Sequence, residues 1–69
     1  MSVQLSNELS RLTYYRMKVA NNPRLKAALE DVLADIKMDI VAESALGEVS
    51  SEYVAIKLQE AYSKIDTFI

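Results

Sequence analysis

Apolar residues fall into three helical patterns separated by two short breaks. In the first, Leu5, Leu9 and Leu12 recur at spacings of four and three, Arg16 interrupts the stripe, and Val19 rejoins it one heptad after Leu12. Such spacing keeps side chains on one face of a helix with 3.6 residues per turn, so a helix is predicted over about residues 3–20, with Ser2 or Ser6 as N-cap. ANNPRLK follows: Asn22 is a capping residue, and Pro23 suits a first helical position, where its missing N–H has no partner to lose. A second helix is therefore predicted over 23–46, with Leu25, Ala28, Leu29, Val32, Leu33, Ile36 and Ile40 on one broad arc and Gly47 as a left-handed residue after its end. Ser50 announces the third, over 51–67, with Val49 and Val54 placed to form a hydrophobic staple and Val54, Leu58, Ala61, Ile65 and Phe68 as its stripe.

Three helices joined by tight connections predict a single all-α domain over residues 1–69, an up-down-up three-helix bundle with a long central helix. At 24 residues that helix is about 36 Å long, and part of it is expected to project. Val3, Met17, Met38, Val41, Tyr53 and Ile56 lie off the main stripes. A chain this small draws only about 3–5 kcal/mol from one core. Surplus apolar residues on such a chain predict a homodimer.

Composition narrows the chemistry. The 69 residues include no Cys and no His, which removes disulfides, thiolate and imidazole catalysis, and nearly every zinc site. One Gly and one Pro leave little material for the turns of a sandwich or barrel. No Gly-rich phosphate loop is present, and the serines have no base but Lys, so no enzyme activity and no cofactor is expected. ALGEVSSE supplies too few ligands for a Ca²⁺ or Mg²⁺ loop. The N-terminus lacks the features of a secretory signal and no apolar run approaches a bilayer span, so a cytoplasmic protein is expected, without a membrane partner.

Charge is distributed unevenly. Residues 1–26 carry Arg11, Arg16, Lys18, Arg24 and Lys26 against Glu8 alone, whereas residues 27–69 carry three lysines against nine acids. In a bundle the cations collect at the first turn, and Asp39, Glu43, Glu48 and Glu52 at the second. The central helix then has cations at its N-terminal end and anions toward its C-terminal end, each the reverse of what the helix dipole favours by about 0.3–1 kcal/mol. Asp31, Asp35, Asp39 and Glu43 form an acidic row whose four-residue steps drift about 40° each, from the flank of the apolar arc into it. Folding at Gly47 brings Asp39 level with Lys57 and Asp31 or Asp35 level with Lys64; folding at Asn21–Asn22 brings Arg11 near Asp31.

Arg11, Tyr14, Tyr15, Arg16, Lys18 and Arg24 make a basic, tyrosine-containing candidate for partner binding, because aromatics and Arg are enriched at interface cores. One of the two adjacent tyrosines is expected in the core and the other at the rim. The function expected is that of a small non-enzymatic protein–protein interaction module or regulator, of the kind common among phage, plasmid and bacterial accessory proteins. The first alternative is a self-assembling accessory protein that uses its opposite charged poles. Nucleic-acid binding through the basic first helix is the second alternative, disfavoured by an acidic second helix and a net charge of −2.

Overall fold

Two capping side chains set where the later helices begin. Asn22 has extended backbone angles and its Oδ1 accepts the Leu25 N–H at 3.2 Å, with Pro23 next in the first helical position. Ser50 does the same at the other break, its Oγ accepting the Tyr53 N–H at 3.1 Å. Each side chain supplies an acceptor for one of the backbone N–H groups that a helix start otherwise leaves unpaired. A computed structural model describes residues 3–69 as three helices: α1 (Val3–Val19), α2 (Pro23–Leu46) and α3 (Ser51–Asp66). The bounds differ from the sequence expectation by one residue at the ends of α1 and α3.

Ser2, one of the two caps expected for α1, lies outside the described residues. Ser6 is not a cap: it lies inside α1, where its carbonyl accepts the Ser10 hydroxyl at 3.2 Å. Gly47 is also not the left-handed residue expected. At φ 159° and ψ −162° it is nearly extended, with its N–H on the Ser44 carbonyl. That bond satisfies one of the last carbonyls of α2, and one turn earlier the Ser44 hydroxyl donates to the Val41 carbonyl at 2.9 Å.

All three helices pack on one core. Tyr15 and Val19 of α1, Leu29, Val32 and Ile36 of α2, and Leu58, Ala61, Tyr62 and Ile65 of α3 form it. Leu5, Leu12, Leu25, Ala28, Leu33 and Val54 pack against its edge. The α2 arc is the one its spacing predicted. On α3 the buried face is wider than the predicted stripe, because Ala55 and Tyr62 join it, and Phe68 falls past the helix end and is exposed.

α1 required the larger correction. Its inward positions are 5, 8, 12, 15 and 19, so the seam is filled by Leu5, Glu8, Leu12, Tyr15 and Val19, while Leu9 is turned outward. Arg16 therefore interrupts nothing; the position attributed to it belongs to Tyr15. Leucine spacing alone does not reveal this seam, because a carboxylate holds one inward site.

Beyond Ile40 the core gives out. Every residue from Val41 to Leu46 is exposed although the helix continues, so the end of α2 extends past the packed region, as expected from its length.

Candidate interaction surfaces

The seam between α1 and α3 is held by a connected polar cluster. Glu8 is 6% exposed; its Oε2 accepts Arg11 at 3.1 Å and its Oε1 accepts the Gln59 amide at 3.5 Å. The Tyr62 hydroxyl donates to the Glu8 backbone carbonyl. The fully buried Tyr62 ring stacks on Tyr15 (centroids 4.8 Å apart, planes 11° apart), and the Arg11 guanidinium lies 4.6 Å from the Tyr62 ring centre. Tyr15 in turn donates to Asp66 at 2.6 Å. Burial, reinforced by the nearby Glu8 charge, pushes the Tyr62 hydroxyl up to about 12, because ionising it there would create an unsolvated anion beside another. The Tyr15 pKa is raised chiefly by its hydrogen bond to Asp66, which the neutral phenol makes, and by burial; Arg11 opposes both. Among the described residues no buried side-chain nitrogen or oxygen lacks a partner.

This arrangement redistributes the six residues singled out for partner binding. Tyr15 is withdrawn from that set: its ring is buried and its hydroxyl is committed to Asp66. Arg11 faces α3 and is engaged by Glu8 and Tyr62, instead of lying against Asp31 as the turn geometry suggested. Arg16 turns to the opposite side of α1, where with Val19, Ala20, Lys26, Leu29, Glu30 and Leu33 it lines a groove of about 380 Å³ between α1 and α2. Arg24 lies on a second groove, of about 460 Å³, with Asn22, Leu25, Ala28, Thr67 and Phe68. Only Tyr14 and Lys18 stand on the outward face of α1, the Lys18 ammonium 5.6 Å from the Tyr14 ring centre. Met17 joins them there; Tyr14 is 59% and Met17 73% exposed. The six residues therefore form no single face: they divide among the α1/α3 seam, two grooves and the outward side of α1.

The acidic row is a solvated surface with one anchored member. Asp31, Asp35, Asp39 and Glu43 are all exposed. Lys57 reaches Asp39 at 3.4 Å and Glu60 at 3.5 Å, with its ammonium 5.5 Å from the Tyr53 ring centre. The Lys57 pKa is raised, first by the hydrogen bond to Asp39 and also by the Glu60 charge, against an opposing effect of burial. This is the Asp39–Lys57 contact that folding at Gly47 predicted. Among the described residues no ion pair joins Lys64 to Asp31 or Asp35, because the row turns away from α3 toward its N-terminal end.

Met38 and Val41 are among the surplus apolar residues that lie off the main stripes. They belong to a second stripe on α2. Ala27, Ala34, Met38, Val41 and Ala45, spaced seven, four, three and four, are all exposed and lie opposite the face that enters the core. A shallow groove of about 500 Å³ follows part of this stripe, lined by Ala34, Lys37, Met38, Val41 and Ala42.

No helix among the described residues is long and apolar enough to cross a membrane, and no three metal-ligating side chains there are grouped to hold an ion. Compared with known proteins, the chain matches no family model, no curated protein and no solved structure.

Proposed function

We propose that this chain is a small interaction module, an up-down-up bundle that binds another protein through the outward face of α1. One observation carries the reading: Tyr14 and Met17 are exposed together on the side of α1 away from the core, with Lys18 against the tyrosine ring. An aromatic and a methionine beside cations suit an apolar contact framed by acidic side chains on the partner. Arg16 and Lys26, on the neighbouring groove, extend the basic surround. Arg11 and Tyr15 are engaged in the α1/α3 seam and lie outside this face.

The test is affinity capture from the producing cell, with quantitative comparison between the wild-type chain and a Tyr14→Ala/Met17→Ser/Lys18→Glu variant. Because these side chains are exposed, the variant is expected to keep its helicity and melting temperature while losing a defined set of captured proteins. An unchanged set refutes the assignment of this face. Salt-sensitive binding of a labelled oligonucleotide, lost in an Arg16→Glu/Lys18→Glu/Arg24→Glu variant, would replace a protein partner with nucleic acid. Cell fractionation tests the accompanying expectation of a cytoplasmic location.

A second reading, self-association, is favoured by the independent apolar stripe on α2. A central helix that is apolar on two opposite faces has one face more than a monomeric three-helix bundle uses.

A further inference from the structure

Resting on that second reading, we infer that α2 is the dimerisation helix, its outer stripe packing antiparallel against the same stripe of a second copy. Ala34, Met38, Val41 and Ala45 recur at the four-and-three spacing of a helix–helix seam, and alanines allow two backbones to approach closely. The groove beside Met38 and Val41 gives a side chain of the second helix a place to enter.

Charge selects both the occupant and its direction. α2 has no acidic residue in its first turn and no basic residue in its last, whereas Arg24 and Lys26 stand at its start and Glu43 and Glu48 flank its end. Alone, the helix sets cations against the positive end of its own dipole and anions against the negative end. An antiparallel copy reverses this. With the two-fold axis near residue 36, which sets Ala27 level with Ala45, Arg24 and Lys26 of one copy lie level with the Glu48 end of the other, twice over, and the two helix dipoles oppose. A parallel pair would instead place cations on cations and acids on acids. The charge dipole along the molecule and the spare apolar stripe thus have one common explanation.

The stripe is modest. From Ala27 to Ala45 it runs about 27 Å, with Asp31 inside it, and it is narrow beside the roughly 800 Å² per partner of a standard interface. The charged ends must contribute. The dimer is therefore expected to dissociate on the micromolar scale and to weaken with salt.

Sedimentation equilibrium over a concentration series, at low and high salt, tests this on the full chain. The expected result is a dimer at low salt whose dissociation constant rises about 100-fold in Met38→Glu/Val41→Glu and about 10-fold in Arg24→Glu/Lys26→Glu, with unchanged helicity. Adding Glu48→Lys to the latter sets a cation against the reversed pole and should restore the dimer. Because the chain has no cysteine, direction can be read by oxidation. Ala27→Cys and Ala45→Cys chains should cross-link to each other in a mixture and poorly to themselves. A wild-type monomer at every concentration overturns the inference and leaves the α1 reading intact. A dimer indifferent to Met38→Glu/Val41→Glu overturns the face, and self-linking of the Ala27→Cys chain overturns the direction.

Discussion

Replacing Tyr62 with phenylalanine removes one oxygen from the centre of the α1/α3 seam and leaves the ring in place, which lets two effects of that oxygen be separated by pH. At neutral pH the hydroxyl donates to the Glu8 carbonyl, and its loss is expected to cost about 1 kcal/mol, the net worth of a typical hydrogen bond. The carbonyl belongs to α1 and retains its place in the helix, so no acceptor is orphaned. On a domain of this size, about 1 kcal/mol lowers Tm by roughly 4–8 °C. Alkaline pH changes the sign. Tyr62 is held up to about 12 in the folded chain, whereas an unfolded tyrosine ionises near 10. A folded-state pKa above the unfolded one means that its stabilisation is complete below pH 10 and is lost as pH rises toward 12. Two pH units correspond to roughly 2–3 kcal/mol, a large part of the 3–5 kcal/mol expected of a core this small. A phenylalanine at this position has no proton to lose, so the Tyr62→Phe variant should be less stable than wild type at pH 7 and at least as stable near pH 12. Urea unfolding followed by circular dichroism at pH 7, 10, 11 and 12 would show the two curves cross. If the variant stays below wild type by the same margin throughout, burial of Tyr62 does not control its ionisation and the reasoning fails.

The two N-caps are far apart, so Asn22→Ala and Ser50→Ala should each lower stability by about 1 kcal/mol and add within about 0.5 kcal/mol when combined; marked non-additivity in urea melts would show that they share a structural unit. Glu8 occupies an inward position on α1, while Arg11, its partner, is about half exposed and remains hydrated without it. Glu8→Leu is accordingly expected to melt at or above the wild-type temperature, whereas Glu8→Ala, which leaves the Gln59 amide beside an empty site, should fall by about 1–3 kcal/mol; a large loss in the leucine variant would refute this. Asp39 is exposed despite its contact with Lys57, so Asp39→Leu should alter stability by less than about 1 kcal/mol, and a larger drop in calorimetry would mean the pair is shielded from water.

Local chemistry decided much of what was legible in the chain. Asn22-Pro23 and Ser50 mark helix starts through groups within three residues of each other, and the α2 arc follows from period alone, so neither needs the rest of the molecule. The Asp39–Lys57 pair was accessible too, because a short connection fixes which residues stand level across two helices. Rotation about the helix axis was decided by tertiary packing. Glu8 and Leu9 differ by about 100° around α1, and which of them points inward depends on residues some fifty positions away: the Gln59 amide, with Arg11, makes a buried carboxylate tolerable, and the Tyr62 hydroxyl holds the Glu8 main-chain carbonyl. The same choice of face buried Tyr15, left Tyr14 exposed, and divided Arg11 from Arg16. On α2, the burial of the predicted arc leaves Met38 and Val41, on the opposite side, as one outward stripe. Sequence period gives a helix its stripes, but only the neighbours that cover one of them determine which stripe remains for a partner.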